Sequence, residues 1–422
     1  MATIREAGTT RKAATIRKAL VIGAGIGGLT TAAGLLRQGI EAEVFEARRT
    51  PGLLLTGGGF MLWHNAFLAL RRIGLDEAVA ADSVRMRFHE FRSDTGRRLA
   101  RWHLDGPSER CGAPACALRR STLHKVLTHA VGDHRIRLGS RLTGWTEDGE
   151  GVTAHFADGS TARGDVLIGA DGLRSTVRAR MRRGFEPPPR YAGYTAWQAI
   201  TRLPGESLVP TGTFFNLWGR GGLRFLYCRL DENEVYWDAI TSDRAATGLD
   251  TLRHSRRDEL AAAYRHWPDP VGRIIASTDE EAILPVAVHD RPPGGGGAHG
   301  RVVLVGDAAH PMTLNLSQGA GQAIESGVVL AGLLGRTPPD EVPQALRAFE
   351  AARRERTADM VGTSWRIGTL GLVHSTPLCR LRDLMMYVFF DTVARGQSYG
   401  LMLDDRLERG PVLPAAGSAG TG

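Results

Sequence analysis

The feature that most constrains the fold is a glycine-rich turn near the amino terminus. Residues 18–22, KALVI, have the pattern of a short buried strand and lead directly into residues 23–28, GAGIGG, which satisfy GxGxxG. A helical segment follows, with Gly39 placed at its carboxyl end, and a second strand then ends at Glu46. This order of strand, turn, helix and strand predicts a βαβ unit of the dinucleotide-binding type.

The glycines of this turn have separate expected roles. Gly23 permits the tight turn, Gly25 lets a diphosphate approach the backbone, and Gly28 lets helix and strand pack closely. The helix start offers unpaired N–H groups and partial positive charge to the diphosphate. Glu46 lies 18 residues beyond Gly28, where an acid accepts hydrogen bonds from the adenosine ribose. We interpret the unit as an adenine dinucleotide site, either FAD or NAD; a purely structural βαβ unit is the alternative.

Composition and charge argue against several other classes of protein. The net charge is +8, of which the first 18 residues carry +4, so the remaining residues show no dense basic face that would indicate nucleic-acid binding. Residues 19–36 are uncharged and resemble a signal peptide or a membrane span, but five of these 18 residues are glycine. The four cysteines have neither CxxC nor metal-ligand spacing. We therefore expect a cytoplasmic protein with no metal site, no membrane span and no nucleic-acid partner.

Two further motifs combine an apolar strand with an acid, a glycine and a helix start. The first is DVLIGADGLRSTVR at residues 165–178, with Asp171 at the strand end and Ser175 placed to cap the next helix. The second is GDAAHPMTLNLSQGAG at residues 306–321, with Asp307 at the strand end. Taken alone, the first motif could also be a tight turn with a solvated aspartate.

The three motifs, in this order, resemble those of the FAD-dependent aromatic hydroxylases. These are single-component flavoprotein monooxygenases of the para-hydroxybenzoate hydroxylase and salicylate hydroxylase type. Residues 120–127, RSTLHKVL, also resemble the RxxLxxxL segment of that family, and the resemblance runs from about residue 18 to residue 385. It implies an α/β fold: a Rossmann-like FAD-binding domain with an inserted antiparallel β-sheet substrate domain and C-terminal helices.

The resemblance also implies roles for three residues toward FAD. Arg120 is expected to reach the cofactor, and Asp307 to accept hydrogen bonds from the ribityl hydroxyls. Asp171 is expected to contribute to both FAD and nicotinamide binding. No second GxGxxG fingerprint follows, which suits a family that binds NAD(P)H only transiently as co-substrate.

The loop and helix start at residues 306–321 carry a departure from the family pattern. Gly319, Ala320 and Gly321 are expected to begin a helix whose N–H groups face the pyrimidine edge of the flavin, where positive potential stabilises its anionic reduced form. The family has proline where this chain has Leu314, and glycine where it has Ser317. Leucine frees the backbone there and restores an N–H group that needs a partner.

The resemblance predicts a discontinuous domain organisation. The expected segments are a flexible basic tail at 1–17, an FAD-binding domain at 18–85, 111–184 and 298–365, a substrate domain at 86–110 and 185–291, a C-terminal helical region at 366–409 and a disordered tail at 410–422.

The substrate side is predicted from a concentration of aromatic residues. Residues 185–240 contain 11 aromatic residues and alternate in a way that predicts antiparallel strands. Aromatic walls suit a planar, apolar substrate and exclude water. The alternative is that these rings only fill the core of a sheet. The candidate pocket residues are Tyr194, Trp197, Phe215, Tyr227 and Leu314.

The resemblance implies a monooxygenase reaction on a small aromatic, polycyclic or other electron-rich molecule, in secondary metabolism or aromatic catabolism. NAD(P)H reduces FAD, O2 adds at flavin C4a to give a hydroperoxide, and the distal oxygen passes to the substrate in hydroxylation or epoxidation. No nucleophilic side chain is required, so the catalytic residue is left unassigned, and His310 is expected to be structural. We expect a monomer or a homodimer.

Three other functions stay open at this point. A flavin-fold cyclase would hold FAD structurally without net redox chemistry. A flavin halogenase shares the fold, but residues 193–200, GYTAWQAI, lack the paired tryptophans of halogenases. A dinucleotide-binding regulatory module would have no enzymatic activity.

Overall fold

The computed structural model describes residues 16–50, 58–205, 208–243 and 255–389. The strands are β1 Lys18–Ile22, β2 Glu41–Glu46, β3 Gly59–Leu62, β4 Val84–Arg85, β5 Phe88–Ser93, β6 Arg98–His103, β7 Cys116–Arg119, β8 Ile136–Leu138, β9 Leu142–Glu147, β10 Val152–Phe156, β11 Thr161–Gly164, β12 Val166–Gly169, β13 Arg190–Arg202, β14 Thr213–Trp218, β15 Arg224–Arg229, β16 Glu234–Ser242, β17 Leu284–Asp290, β18 Ala298–His299 and β19 Val302–Leu304. The α-helices are α1 Ile26–Arg37, α2 His64–Arg72, α3 Asp76–Ala81, α4 Asp105–Cys111, α5 Arg120–Val131, α6 Thr176–Met181, α7 Arg256–Ala263, α8 Val271–Ala276, α9 Gly319–Leu334, α10 Val342–Gly371 and α11 Thr376–Phe389.

The first large sheet brings together the three motif-bearing strands. Its order is β18-β19-β12-β1-β2-β8, and all pairs are parallel except that between β18 and β19. Parallel sheets of this kind are covered on both faces, which explains why β1, β12 and β19 are continuous apolar runs. The predicted α/β fold with a Rossmann-like unit is confirmed. Two smaller three-stranded sheets, β9 to β11 and β3-β7-β4, flank it.

Helices α1 and α9 approach each other closely through small residues. A Cβ atom added at Gly34 would lie 2.7 Å from the Cβ of Ala331, and one added at Gly327 would lie 2.8 Å from the Oγ1 of Thr31. A larger side chain at either glycine would push the helices apart. The close contact keeps the amino termini of both helices at the same side of the parallel sheet.

The second large sheet is the predicted antiparallel substrate sheet. Its order is β17-β13-β16-β15-β14-β5-β6, with only β14 and β5 running parallel. One face packs in an apolar cluster with α7 and α8. The opposite face packs in a second cluster that includes Met61 and Trp63 from the side of the dinucleotide-binding unit. Both faces of the central strands, β13 to β16, are therefore largely buried.

The two ends of the chain are described only in part. Residues 1–15 of the predicted basic tail, residues 390–409 of the predicted helical region and the predicted disordered tail at 410–422 lie outside the described residues. Ile16 is buried, and the Arg17 N–H donates to Asp165 Oδ2 at 2.7 Å. Among the described helices, none is long and apolar enough to cross a membrane.

A buried ion network joins α9 and α10 behind the parallel sheet. The carboxylate of Glu325 is fully buried and accepts hydrogen bonds from Arg353 Nη1 at 2.8 Å and from Arg356 Nε at 2.9 Å. Asn65 donates to the same carboxylate and also exchanges hydrogen bonds with the Gln318 side chain at 3.0 and 3.1 Å. The network thereby holds the residue that immediately precedes α9.

Charge pairing decides the protonation state of Glu325. Burial alone would raise its pKa, but the charges of Arg353 and Arg356 and their hydrogen bonds outweigh that effect and lower the pKa from 4.5 to about 2. Because the folded-state pKa is depressed, the stabilisation is fully present above pH 4.5. It is lost as the pH falls from 4.5 toward about 2.

We predict that Glu325→Ala lowers the free energy of unfolding at pH 7 by about 3–5 kcal/mol, because it leaves two guanidinium groups without their buried counter-ion. Urea unfolding of wild type and variant at pH 7 and pH 3 measures the change, and the difference should shrink at pH 3. The control is Glu355→Ala, an exposed acid on the same helix as the two arginines. An equal loss in both variants, or a difference that does not depend on pH, would contradict the assignment.

Candidate active site

A cavity of about 670 Å3 lies between the carboxyl ends of the parallel strands and one face of the seven-stranded sheet. Eight of the ten predicted cofactor residues line it: Gly23, Gly25, Glu46, Arg120, Asp171, Asp307, Gly319 and Ala320. The other two, Gly28 and Gly321, lie behind this wall. Residues that are up to 297 positions apart in sequence thus meet at one site.

The first glycine turn is shaped by packing on one side and by open space on the other. Gly23 has φ +107°, and a Cβ there would lie 2.5 Å from the carbonyl oxygen of Ala170. A Cβ at Gly28 would lie 2.0 Å from the carbonyl oxygen of Gly23. At Gly25, by contrast, a Cβ would meet nothing within 4 Å. The turn therefore presents bare backbone and the amino terminus of α1 to the cavity.

His124 holds this turn from behind. Its Nε2 lies 2.9 Å from the carbonyl oxygen of Ala24. Burial lowers the pKa of the imidazole, and this effect outweighs the hydrogen bond to Ala24, which acts to raise it. A neutral ring that donates through Nε2 fits both observations.

Two of the lining carboxylates are engaged in local backbone hydrogen bonds. Glu46 accepts from the Ala24 N–H at 3.0 Å and from the Arg48 N–H at 2.9 Å, which leaves lone pairs on both oxygens. Asp171 accepts from the Ser175 hydroxyl at 2.5 Å and from the Thr176 N–H at 2.7 Å. Asp171 therefore fixes the start of α6, where the predicted capping by Ser175 is also confirmed.

Asp307 and Arg120 are different, because their charged ends point into the cavity without a partner. Within the described parts of the chain, neither side chain makes a hydrogen bond or an ion pair. The surrounding protein raises the pKa of Asp307 by limiting its solvation, and the charge of Arg120 acts in the opposite direction. Both groups are available to a ligand.

The loop that carries Leu314 is clamped through Asn315. The Asn315 amide donates to the Tyr194 hydroxyl at 2.9 Å and to the Ser364 carbonyl at 2.9 Å, and its oxygen accepts from Arg224 Nη2 at 2.6 Å. From the other side, Trp63 Nε1 donates to the Leu316 carbonyl at 3.1 Å. The loop is thus tied to the substrate sheet, to α10 and to the segment before α2.

The two departures from the family pattern occupy distinct backbone positions. Leu314 is the first residue of a short 3-10 turn that follows extended backbone at Thr313. Proline is readily accommodated as the first residue of such a turn, where its missing N–H group needs no partner within the turn. Ser317 has φ +51°, the left-handed region in which glycine is favoured.

The substrate sheet turns a different set of residues toward the cavity from the one predicted. Trp197, Phe215 and Tyr227 lie on the opposite face, in the apolar cluster with α7 and α8. Side chains alternate between the two faces of a strand, so the cavity receives their neighbours. The lining residues from this sheet are Gln198, Phe214, Tyr236 and Asp238. Leu314, which is also among the predicted pocket residues, does line the cavity.

Tyr194 lies on the cavity-facing side of the sheet but contributes through the loop. Its hydroxyl accepts the hydrogen bond from Asn315, and the side chain does not line the cavity. Sequence reasoning missed Asp238, although the signal was present: VYWDAI places one acid inside an otherwise apolar strand. A charged residue in such a strand is costly to bury unless its charge is paired or hydrogen-bonded, so its presence calls for a partner.

His310 has the properties of a structural residue, as predicted. Its Nε2 lies 3.1 Å from Ser326 Oγ, and burial lowers the pKa of the ring to about 3. The imidazole is neutral at physiological pH and packs at the base of α9. It is not placed to serve as a general base in the cavity.

Comparisons with known proteins agree with this geometry. Residues 17–218 match the family described as FAD binding domain. The aurachin C monooxygenase/isomerase of Stigmatella aurantiaca is 38% identical over 87% of this chain and 93% of its own length. The 3-amino-4-hydroxybenzoate 2-monooxygenase of Streptomyces cremeus is 35% identical over 90% of this chain and 94% of its own length.

A solved structure shows the same similarity in three dimensions. HpxO of Klebsiella pneumoniae, complexed with FAD and uric acid, superposes with a TM-score of 0.82 at 29% identity, covering 94% of this chain and 97% of that one. The sequence identity to the two relatives, their nearly complete coverage and the shared fold lead to one conclusion. The chain belongs to the FAD-dependent aromatic monooxygenases.

Proposed function

We propose that this protein uses NAD(P)H and O2, with FAD bound in the cavity, to insert one oxygen atom into a planar, electron-rich ring of a small molecule. The observation that carries the proposal is the single cavity with two unlike walls. One wall consists of glycine turns, helix amino termini and the side chains of Asp307 and Arg120. The other consists of the substrate sheet, with Phe214 and Tyr236.

The residues present fit FAD. The open backbone at Gly25 and the amino terminus of α1 suit a diphosphate, and Glu46 retains lone pairs for the ribose hydroxyls. Asp307 has a carboxylate available to the ribityl hydroxyls, and Arg120 has a free guanidinium. When bound, FAD supplies the exchange of electrons with NAD(P)H and the activation of O2.

The chain itself supplies orientation, electrostatics and the exclusion of water. The amino terminus of the 16-residue helix α9 gives positive potential at residues 319–321. The clamped loop at 313–317 fixes the boundary between cofactor and substrate. The substrate sheet, which forms the other wall of the cavity, shields the reacting ring from bulk water.

The relatives indicate the substrate class. Uric acid and 3-amino-4-hydroxybenzoate, named for two of them, are planar rings that carry N–H or O–H groups. We propose that the substrate of this chain shares that chemistry. The name of the aurachin C relative joins monooxygenation to isomerisation, so product analysis should include rearranged skeletons.

The proposal is tested with FAD-loaded protein, NADH or NADPH, and a panel of uric acid, 3-amino-4-hydroxybenzoate and 2-naphthol. We expect at least one ring to accelerate NAD(P)H oxidation and to gain one atom of 18O from 18O2. No acceleration and no labelled product across the panel would contradict it. Conversion that persists without NAD(P)H or O2 would indicate the non-redox cyclase instead.

We predict that Asp307→Asn raises the dissociation constant for FAD by about 10-fold or more, because a charged hydrogen-bond acceptor is replaced by a neutral amide. Fluorescence titration of the apoprotein with FAD measures the change. Asp148→Asn is the control, because Asp148 is an exposed acid paired with Arg163 outside the cavity. Equal affinity in Asp307→Asn and wild type would contradict the assigned contact.

We predict that Leu314→Pro folds normally and increases the fraction of NAD(P)H consumption that yields oxygenated product. The backbone at Leu314 accommodates proline, and the rigid ring restricts the loop beside the flavin position. Product formed per NAD(P)H oxidised is the measurement, with FAD content and melting temperature as controls. An unchanged yield in a fully FAD-loaded variant would show that the loop is already fixed by the Asn315 clamp.

A further inference from the structure

Asp238 is a buried acid with one oxygen unused. It lies in the middle of β16 and is only 5% exposed. Oδ2 accepts a hydrogen bond from the Tyr236 hydroxyl at 2.7 Å. Oδ1 is buried and has no hydrogen-bond partner among the residues that the structure describes. Leaving a buried carboxylate oxygen unpaired is costly, so a partner from outside the chain is indicated.

The position of Asp238 shows where that partner would be. Tyr236 and Asp238 are two residues apart on β16 and share the cavity face, and Gln198 of β13 lies directly opposite Asp238. All three line the cavity. Trp237, between the first two, points to the other face and is completely buried there. Asp238, with its unpaired oxygen, therefore belongs to the wall on the substrate side of the proposed active site.

The neighbours of Asp238 hold it in place but do not complete its hydrogen bonding. The Tyr236 ring is confined by the residue that precedes β3, because a Cβ added at Gly58 would lie 2.5 Å from a ring carbon. Gln198 Nε2 lies 3.4 Å from the Tyr236 hydroxyl, and so supports the tyrosine. Tyr236 is thereby fixed as the donor to Oδ2, and no described group reaches Oδ1 with hydrogen-bond geometry, although the Gln198 amide is its neighbour.

The charge state of Asp238 suits an acceptor. Burial raises its pKa to about 6, while the hydrogen bond from Tyr236 and the Gln198 amide act to lower it. At pH 7.5 the group is mainly a carboxylate, which only accepts hydrogen bonds. Its preferred ligand is thus an O–H or N–H donor.

We propose that Asp238, oriented by Tyr236, accepts a hydrogen bond from an O–H or N–H group on the substrate ring and thereby selects hydroxylated or N–H-bearing rings over their methylated counterparts. The inference rests on the proposed function, since it concerns the substrate side of the same cavity. A site built around a buried acceptor discriminates strongly against a ligand that leaves the acceptor unpaired. The hydrogen bond from the substrate to Asp238 also fixes which edge of the substrate ring faces the flavin position.

The test is binding selectivity, measured separately from turnover. FAD-loaded wild type is titrated at pH 7.5 with two matched pairs whose methyl ethers carry no O–H or N–H donor: 2-naphthol against 2-methoxynaphthalene, and 4-hydroxybenzoate against 4-methoxybenzoate. The perturbation of the flavin absorbance reports binding. In wild type, at least one hydroxylated ring should bind about 10-fold or more tightly than its methyl ether.

Two variants locate the selectivity. Asp238→Asn should reduce the ratio to about 2-fold or less, because the amide can present a donor where the carboxylate presented an acceptor. Glu90→Gln is the matched control. Glu90 is a buried acid in the same sheet, paired with Arg92 and Arg101 and outside the cavity, and its variant should keep the wild-type ratio.

Several results would overturn the proposal. Wild type that binds both methyl ethers as tightly as the corresponding hydroxylated rings contradicts it, even if no Asp238 variant retains FAD. A wild-type ratio that persists in FAD-loaded Asp238→Asn contradicts it as well. If rings without a donor are oxygenated preferentially, the monooxygenase function stands and the selection by Asp238 fails. If no ring of the panel binds or is oxygenated, both fail.

Discussion

The site depends on one constraint: parallel strands that are neighbours in a sheet end at the same edge. In the order β19-β12-β1-β2, the residues that follow these four strands lie in a line along one edge of the sheet. Gly23 and Asp307 thereby come together, although they are far apart in the chain. The close contact of α1 and α9 through glycine and alanine then sets two helix amino termini beside that line. Each motif is weak in isolation, and the sheet topology makes them a single binding surface.

The second determinant is the mechanical link between this surface and the substrate sheet. Asn315 uses both ends of its amide, so the loop beside the proposed flavin position cannot shift without breaking bonds to β13, β15 and α10. Arg224, one of its partners, is buried and stacks on the rings of Tyr194 and Trp218. A change in the substrate sheet is therefore transmitted to the loop through short, partly buried hydrogen bonds.

The sequence predicted the cofactor wall far better than the substrate wall, for a physical reason. Gly23 and Asp307 stand at strand ends, where chemistry demands a particular residue type and the pattern is visible. In β13 to β16 both faces are buried, so the alternation of polar and apolar residues that reveals direction is absent. The prediction that Trp197 and Phe215 line the cavity is therefore wrong by one residue along each strand, since their neighbours Gln198 and Phe214 face it. Only the packing of α7 and α8 on one face, which is tertiary information, resolves it.

The polar pair on the substrate wall shows how the two halves of the molecule share one boundary. Tyr236 belongs to the substrate sheet, but the space for its ring exists only because β3 and the residue before it contribute Gly58 and Gly59. Substituting either glycine would press a side chain onto the ring and move the hydroxyl that orients Asp238. The same segment accepts the Arg120 N–H at the Gly58 carbonyl, next to the guanidinium that faces the cofactor wall. The proposed cofactor wall and the proposed substrate wall therefore meet at one short stretch of backbone, and a substitution there affects both.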